Sequence, residues 1–463
     1  VREWSFGDLS EAVRRIAGAL QRVGLGKGDP VVILLGDVPE FPLAYFGVIA
    51  AGGIATPLSS QLSDFEISAI LQSVAPKVVL GGTDALVTEA ARLDFHALLS
   101  ADPVDFAATE AEDPALLVFT SGSSGQPKGV LHAQRAFWAR QSMHAGWHGI
   151  GPGDRVMHAG AFNWTFTLGV GLADTWSVGG TAIVNSGARD ATAWPLLARR
   201  HEPTVFAAAP GVYRQILKYG QDLGTAFATL DRAVTAGEKL SKAIAEQWKT
   251  ETGKPLLEAL GMSEVSTYIS TPPNRSVQAE QAGWAQPGRR IAVLGDDDKP
   301  VPRGQVGRLA VHADDPGLML GYWKRPDLTR MAYCGDWFVT GDLVTMSQDG
   351  AVAYAGRHDD QMNAGGYRVD PHDVEAALLR VPGIAECGVA EHAVRDDVRV
   401  IAAWLVPDPG ATLTRDAVLA GAGKLLAAYK MPRALFLAQA LPRTANGKLV
   451  RRRLPTISAQ DLV

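Results

Sequence analysis

Cysteine is scarce in this chain, which has only 2 among 463 residues, Cys334 and Cys387, and no C-x-x-C pair. This scarcity argues against a disulfide framework and indicates a reducing compartment. Cys334 is followed by Gly335 and Asp336, with no base beside it in the sequence. We therefore do not expect Cys334 to act as a nucleophile.

No sign of charge dominates, because 44 basic residues stand against 49 acidic ones and the formal net charge is -5. This balance gives no reason to expect a nucleic acid or an anionic membrane as a partner. The chain opens without the features of a secretory signal, so the expected location is the cytoplasm. Residues 156–173 lack charged side chains, but their polar residues and glycines favour a buried strand and helix over a membrane span.

Length and periodicity predict more than one domain, since 463 residues exceed one ordinary core. In the first part of the chain, helical patterns alternate with short apolar runs such as residues 31–35, which is typical of parallel sheets covered on both faces. From residue 286, short strands and turns predict a β-rich subdomain. The predicted fold class is α/β, with a large N-terminal domain over 1–357, a hinge over 358–361 and a small α+β domain over 362–463.

Local signals predict individual helices. Ser5 is positioned to cap a first helix that ends at Gly24, and residues 63–66 read S-D-F-E, a capping box, before a second apolar pattern. In the C-terminal domain, helices are predicted over 371–380 and 414–428. No internal repeat or low-complexity segment interrupts these patterns.

A loop rich in glycine, serine and threonine lies between two apolar runs, where residues 120–129 read T-S-G-S-S-G-Q-P-K-G. Uncovered N–H groups, hydroxyl donors and the charge of Lys128 are together typical of a phosphate cradle. The spacing fits neither G-x-x-x-x-G-K-[ST] nor the G-x-S-x-G nucleophile elbow. Composition alone leaves a flexible surface loop as the alternative.

A second lone lysine, Lys448, ends the segment P-R-T-A-N-G-K at residues 442–448. By itself it is a solvated lysine near the chain end. The loop at 120–129, however, resembles the signature loop of the adenylate-forming superfamily, which includes acyl-CoA synthetases, adenylation domains and firefly-type luciferases. Residues 442–448 are similar to the closing motif of that superfamily, P-x-x-x-x-G-K.

Further stretches agree with the superfamily in the same order, so the resemblance covers essentially the whole chain. They are T-A-G-E-K-L at 235–240, L-G-M-S-E at 260–264, G-Y-W at 321–323, T-G-D at 340–342 and N-A-G-G-Y-R at 363–368. The G-Y-W element is expected to be structural. The rest imply roles in binding and catalysis.

The resemblance implies that Lys448 is the catalytic cation, carried by a small mobile domain to the reacting carboxylate and the α-phosphate. A positive charge there stabilises the negative charge that gathers on pentavalent phosphorus. Thr120 is a further implied catalytic residue, and Glu264 would bind Mg²⁺ together with ATP oxygens. The residues implied in holding pyrophosphate are Ser121, Gly122, Ser123, Ser124, Gly125 and Lys128.

The same resemblance implies sites for the nucleotide and for the thiol of CoA. The residues expected to lie against adenine and phosphate are Gly237, Glu238, Lys239, Leu260, Gly261, Met262 and Ser263. Asp342 and Arg357 would bind the ribose. Gly365, Gly366 and Arg368 would face the pantetheine arm of CoA after the small domain rotates about the hinge residue Asp359.

The acyl pocket is the least constrained prediction. Phe162 and Trp164 lie where relatives line the acyl site, although core packing is an equal reading for each ring. Gly261 matches a position where the acetate-specific branch carries a bulky aromatic residue. It therefore suggests an acid larger than acetate, such as a medium-length, branched or aromatic acid.

Some positions depart from the family pattern. Leu260 stands where many relatives stack an aromatic ring on adenine, Lys239 replaces a small residue or proline, and Gly365 stands where serine is usual. Separately, His144 and His148 have helical spacing suited to a metal, but no acidic residue accompanies them within the segment, so structural or surface histidines are expected.

The predicted function is an AMP-forming acid:CoA ligase that uses ATP, Mg²⁺ and CoA. One alternative shares the fold but loads an acyl carrier protein, and another is a nucleotide-binding protein without catalysis. No nucleic acid, membrane span or particular oligomeric state is predicted.

Overall fold

The computed structural model describes residues 2–82, 88–120, 128–275, 277, 281–357, 362–364, 367–395, 398–443 and 449–462. The chain divides into two compact units. Unit 1 comprises Val1–Ser60, Val74–Val118 and Gly129–His358, and unit 2 comprises Gln61–Ser73, Phe119–Lys128 and Asp359–Val463.

The described helices are distributed over both units. In chain order they are α1 (Phe6–Arg22), α2 (Glu40–Ala50), α3 (Asp64–Val74), α4 (Phe95–Leu99), α5 (Arg135–Ala139), α6 (Thr165–Leu168), α7 (Asp174–Ser177), α8 (Ala193–His201), α9 (Pro210–Tyr219), α10 (Leu223–Ala226), α11 (Lys242–Thr252), α12 (Pro326–Met331), α13 (Pro371–Leu378) and α14 (Arg415–Ala422). π-Helical turns span His144–His148 and Gly169–Ala173, and 3₁₀ turns span Ala428–Lys430 and Arg451–Thr456.

The described strands form four sheets. In chain order they are β1 (Pro30–Leu34), β2 (Ile54–Pro57), β3 (Val78–Gly81), β4 (Ala91–Leu93), β5 (Pro114–Thr120), β6 (Lys128–Ala133), β7 (Arg155–His158), β8 (Thr181–Ile183), β9 (Val205–Ala207), β10 (Arg232–Ala236), β11 (Leu256–Met262), β12 (Ser266–Ser270), β13 (Gln281–Ala285), β14 (Ile291–Leu294), β15 (Gly307–His312), β16 (Gly321–Tyr322), β17 (Tyr333–Cys334), β18 (Trp337–Met346), β19 (Val352–Arg357), β20 (Met362–Ala364), β21 (Tyr367–Val369), β22 (Ile384–Arg395), β23 (Val398–Pro407), β24 (Ala434–Leu437) and β25 (Gln460–Asp461).

The first sheet has seven strands in the order β16-β6-β5-β2-β1-β3-β4. Its centre is parallel, with β1 between β2 and β3. Val31, Val32 and Ile33 of β1 are fully buried, as a strand covered on both faces requires. Helix α1 begins at a capping box, in which Ser5 Oγ accepts from Asp8 N at 3.1 Å and Asp8 Oδ2 accepts from Ser5 N at 2.9 Å.

The second sheet has twelve strands and changes character along its width. From β8 through β7, β9 and β10 to β11 the neighbours are parallel, whereas the strands from β12 to β14 pair antiparallel. The predicted β-rich region is therefore an extension of the parallel sheet. The change of direction occurs at the hairpin of β11 and β12, which places the loop after β11 at the carboxyl edge of the parallel strands, the usual ligand side of an α/β sheet.

Unit 2 has its own core. Strands β22, β23, β24 and β25 form a four-stranded sheet, β20 and β21 form a separate pair, and helices α13 and α14 contribute to one apolar cluster that includes Val389, Leu405 and Val418. Helix α3 belongs to this unit by packing, since Ser63 Oγ donates to Leu425 O at 3.1 Å.

The α/β fold class, with a large N-terminal part and a smaller C-terminal part, is confirmed. The predicted capping box of α3 is present, with Ser63 N donating to Glu66 Oε2 at 3.0 Å. The helix predicted over 414–428 was too long, because α14 ends at Ala422 and Gly423 and Lys424 form a turn after it. No helix in the described ranges is long and apolar enough to cross a membrane.

Candidate functional site

The β11–β12 hairpin carries the predicted Mg²⁺ ligand at its tip. Met262 pairs with Ser266, which leaves Ser263, Glu264 and Val265 as a three-residue loop. The pairing shifts by one residue at Gly261, where a Cβ would lie 2.6 Å from Ser266 O. Glycine at this position therefore allows the two backbones to approach closely.

The Glu264 carboxylate is buried, with 5% of the residue exposed. Oε1 accepts a hydrogen bond from the Tyr322 hydroxyl at 2.9 Å, and the backbone oxygen of Glu264 accepts from Met319 N at 2.8 Å. Oε2 is buried and has no hydrogen-bond partner among the described residues. A buried carboxylate oxygen without a donor fits a site for a hard cation such as Mg²⁺.

His132 fixes the other side of the same loop. Its Nε2 lies 2.7 Å from Ser263 O, and because a carbonyl only accepts, Nε2 carries the proton. Burial lowers the pKa of His132 to about 4, so the ring is neutral at pH 7. Ser263 is thereby held through its backbone, and its hydroxyl is not used in this contact.

The predicted adenine loop lies beside this hairpin. Strand β10 runs parallel to β11, with Ala236 opposite Ala259, so Gly237, Glu238 and Lys239 leave the sheet next to Leu260. Gly237 has φ +98°, a conformation that favours glycine. Leu260 and Met262 are half-buried and pack against the apolar cluster of the β-rich region.

Asp342 lies farther along the same sheet, within β18, and is 2% exposed. Its backbone N–H donates to Thr340 Oγ1 at 3.2 Å, and the Thr340 hydroxyl donates to Leu309 O at 2.9 Å. In the antiparallel register Asp342 is opposite Arg357 of β19. The backbone therefore puts the two residues of the predicted ribose clamp on adjacent strands.

The predicted acyl-pocket residues have different surroundings. Phe162 is 1% exposed, its ring stacks on Phe41 at 5.0 Å, and its N–H donates to Asp37 Oδ1 at 2.6 Å. Trp164 is half-buried at the N-terminal end of α6, with an edge contact to Phe166 at 5.1 Å. Phe162 thus behaves as a core residue, whereas Trp164 is only partly buried.

A small cavity, with a volume of about 40 Å³, lies beside the hairpin within unit 1. Apolar side chains form most of its wall, and its polar lining includes His132, Arg140, Ser266 and Arg289. None of the three predicted acyl-pocket residues is among the described residues that line it.

Several predicted site residues lie outside the described residues, namely Ser121, Gly122, Ser123, Ser124, Gly125, Asp359, Gly365, Gly366 and Lys448. Thr120 ends β5 and Lys128 begins β6, and both belong to unit 2. Arg357 and Arg368 are described through their backbone alone, Arg368 opposite Asn363 in the β20–β21 pair. Their predicted roles remain predictions.

Sequence reasoning missed a buried ionic network. Arg140 donates to Asp174 through Nε at 2.6 Å and Nη2 at 2.7 Å, and His148 Nε2 lies 3.3 Å from the same carboxylate. The histidine pair is structural, since His144 Nδ1 contacts Ile150 O at 2.9 Å. Within the described residues, no group of three or more His, Cys, Asp or Glu side chains is arranged to hold a metal.

A solved structure has the same fold as this chain. The chain is similar to o-succinylbenzoate CoA synthetase from Bacillus subtilis, with a TM-score of 0.89 and 24% identity over 99% of this chain and 95% of that one. A likeness of this extent shows that the two chains share a fold.

Family models identify the family. The model described as AMP-binding enzyme matches residues 1–323, and the model described as AMP-binding enzyme C-terminal domain matches residues 373–448. The chain belongs to the AMP-binding enzyme family, which confirms the resemblance found in the motifs.

Two relatives are similar over nearly the whole chain. The 3-hydroxybenzoate--CoA/4-hydroxybenzoate--CoA ligase of Thauera aromatica is 30% identical over 491 residues, which cover 98% of this chain and 92% of the relative. The 3-hydroxybenzoate--CoA ligase of Aromatoleum sp. (strain CIB) is 28% identical and covers 98% of this chain and 91% of the relative.

Proposed function

We propose that this chain is an AMP-forming acid:CoA ligase for an aromatic carboxylic acid, with hydroxybenzoates as the preferred class. Similarity to two hydroxybenzoate--CoA ligases over 98% of the chain carries the proposal. Acid and ATP form an acyl-adenylate with release of pyrophosphate, and the acyl group then passes to the thiol of CoA with release of AMP.

The cavity beside the β11–β12 hairpin has a mainly apolar wall with a few polar groups, but its volume of about 40 Å³ is too small for an aromatic acid, so the acyl site is proposed around the predicted residues instead. The acyl site is proposed to include the half-buried Trp164, with Phe162 and Gly261 as the other predicted positions. The proposed substrate class, aromatic acids, is narrower than the class predicted from the sequence, which was any acid larger than acetate.

Glu264 is the proposed Mg²⁺ ligand, through the carboxylate oxygen that has no donor among the described residues. Mg²⁺ bound there would neutralise charge on the phosphate oxygens of ATP. Tyr322 holds the other carboxylate oxygen in place, and Ser263 offers its hydroxyl toward phosphate. Asp342 is the proposed acceptor for the ribose hydroxyls, and Gly237 to Lys239 the proposed adenine loop.

Lys448 is the proposed catalytic cation, and the loop from Thr120 to Lys128 the proposed pyrophosphate clamp. The presence of Lys448, Glu264 and Asp342 in one chain supports catalysis over nucleotide binding alone. Gly365, Gly366 and Arg368 are proposed to meet the thiol of CoA. The two free cysteines support a cytoplasmic location.

Product analysis tests the proposal. Purified protein is incubated with ATP, Mg²⁺ and a panel containing acetate, a branched acid, benzoate, 3-hydroxybenzoate and 4-hydroxybenzoate, with CoA present or omitted. We expect AMP, pyrophosphate and an aromatic acyl-CoA, with a hydroxybenzoate giving the highest kcat/KM.

Two outcomes would contradict parts of the proposal. Preference for acetate or the branched acid overturns the substrate class. Pyrophosphate release without an acyl-CoA product, followed by acylation of an added phosphopantetheine-bearing carrier protein, favours the carrier-loading alternative.

A further inference from the structure

The hairpin that carries Glu264 contains a strained residue. Ser266, two positions after Glu264, has φ +69°. Three-residue hairpin loops commonly need a left-handed residue near their end, and glycine is the usual choice. A residue with a Cβ in this conformation costs free energy, so the surrounding contacts must hold it there.

A buried arginine makes the contact that holds Ser266. Arg140 Nη1 donates to Ser266 Oγ, and the guanidinium is itself fixed by the paired bonds to Asp174. Arg140 and Asp174 are 8% and 2% exposed. A Cβ on Gly169 would lie 1.7 Å from Arg140 Nη2, so glycine at this position leaves room for the guanidinium.

Charge keeps this network in one state near neutral pH. Burial by itself would raise the pKa of Asp174, but Arg140 and His148 outweigh burial and hold that pKa well below its usual value. Ile150 N donates to His148 Nδ1 at 3.1 Å, so the neutral imidazole carries its proton on Nε2, the atom nearest Asp174. The Arg140 guanidinium, which donates to Ser266, is therefore itself held in one position by Asp174.

We propose that Arg140 and Ser266 are positioning residues for Glu264. The bond from Arg140 stabilises the left-handed conformation of Ser266 and so fixes the hairpin tip from one side, while His132 holds Ser263 on the other. This inference rests on the proposed function, in which Glu264 binds Mg²⁺ with ATP. The side chains of Arg140 and Ser266 act through the loop and are not themselves ligands.

Substitutions at Ser266 separate the hydroxyl from the backbone conformation. Ser266→Ala removes the hydrogen bond and keeps the strain, whereas Ser266→Gly removes both. We expect Ser266→Ala to weaken ATP binding in the presence of Mg²⁺ by roughly tenfold, a loss of the size expected for a hydrogen bond to a charged group, and Ser266→Gly to weaken it less. Binding of ATP without Mg²⁺ should change little in either variant.

Arg140→Lys should behave like Ser266→Ala. A lysine keeps a positive charge beside Asp174 but cannot bond the carboxylate in paired fashion and reach Ser266 as well. Ser270→Ala is the matched control, because Ser270 lies on the same strand, is 1% exposed and donates to Gly146 O at 2.7 Å. Its loss should lower thermal stability without changing the Mg²⁺ dependence of ATP binding.

Two readouts decide the inference. In a double-mutant cycle measured by calorimetric ATP binding, Ser266→Ala should add no further loss in a Glu264→Gln background. In the nucleotide-free protein, hydrogen exchange of the peptide covering 257–270 should be faster in Ser266→Ala and Arg140→Lys than in the wild type, and intermediate in Ser266→Gly.

Additive losses in the cycle, or wild-type exchange of that peptide in Ser266→Ala, overturn the inference. Failure of the proposed function has a different signature, since the wild-type protein would then release no pyrophosphate with any acid. The hydrogen-exchange result does not depend on that activity, so the two failures are distinguishable.

Discussion

At the scale of single residues, the sequence reveals chemical groups but not what surrounds them. The motif around Glu264 is legible because its residues are consecutive. Tyr322, which donates to Glu264 Oε1, stands 58 positions away in an element expected to be structural. Arg140 and Asp174 are likewise 34 residues apart. Such pairs form only when the fold brings distant segments together, so no local sequence pattern predicts them.

His158 gives a prediction at this scale. The residue is 4% exposed at the end of β7, and burial, with a smaller effect of Arg189, lowers its pKa to about 4. Between about pH 6.5 and pH 4 the unfolded chain therefore binds more protons than the folded one at this site, so stability falls as the pH falls. His158→Leu should remove up to about 1.4 kcal/mol per pH unit of that slope.

The measurement is the free energy of unfolding in denaturant between pH 7 and pH 5. Because Leu packs less well than the ring beside Gly171, the variant is expected to be less stable at pH 7, and the slope is the decisive quantity. His96→Leu, at an exposed position, serves as the control. An unchanged slope in His158→Leu would contradict the neutral, buried state of this histidine.

At the scale of elements, helix caps and apolar periodicity predicted α1, α3, α13 and the strand β1. The capping boxes at α1 and α3 and the continuous apolar run of β1 involve residues that are close in the sequence. Elements of this kind can therefore be predicted without knowledge of the tertiary structure. The end of α14 was misplaced because an apolar helical pattern continues past Ala422, where the chain instead turns at Gly423 toward a 3₁₀ segment.

The position of Gly261 in the β11–β12 hairpin gives a second explanation for glycine at this site. Its absent side chain was attributed to room for the acyl group, whereas the structure adds a packing reason in the backbone of β12. Gly261→Ala places a Cβ 2.6 Å from Ser266 O and 2.8 Å from Thr267 Cα, and both neighbours are backbone atoms. We expect a loss of stability of about 1–3 kcal/mol, the usual cost of overpacking.

Denaturant unfolding of Gly261→Ala checks this expectation. Gly211→Ala is the control, because Gly211 lies in α9 with nothing within 4 Å of the position of a Cβ. Alanine there should be neutral or slightly stabilising. A Gly261→Ala protein as stable as the wild type, with an altered acid preference, would instead favour a role in the acyl pocket alone.

At the scale of the whole molecule, the α/β class was readable from the alternation of helices and strands. The composition of unit 2 was not, because α3 joins it from a position between β2 and β3. Lys430 makes this attachment, with Nζ 2.8 Å from Glu66 Oε1 and 3.4 Å from Asp373 Oδ2. Burial by itself would lower the pKa of Lys430, but the neighbouring acidic groups raise it.

Lys430→Met tests how much the ion pairs of Lys430 with Glu66 and Asp373 contribute to the stability of unit 2. Removing the cation leaves two buried carboxylates without their partner, which costs about 3–5 kcal/mol in comparable buried pairs. Calorimetry should show the loss in the unfolding of unit 2. Lys424→Met, at an exposed position in the same unit, is the control, and equal stability of the two variants would show that the ion pairs contribute little.

Lys448 provides the functional prediction at this scale. Lys448→Ala should abolish acid-dependent exchange between ATP and pyrophosphate, because the charge on the transition state loses its cation, while ATP binding persists. Exchange is followed with labelled pyrophosphate and binding by calorimetry. Exchange at the wild-type rate would remove Lys448 from the catalytic assignment.

The attachment of α3 to Lys430 also has a consequence during synthesis. The two residues of the ion pair are separated by 364 positions. At a translation rate of about 5–20 residues per second, Glu66 is added to the chain roughly 20–70 s before Lys430. During that interval Glu66 of α3 has no Lys430 to pair with. A nascent chain halted before residue 430 would therefore expose this helix to chaperones.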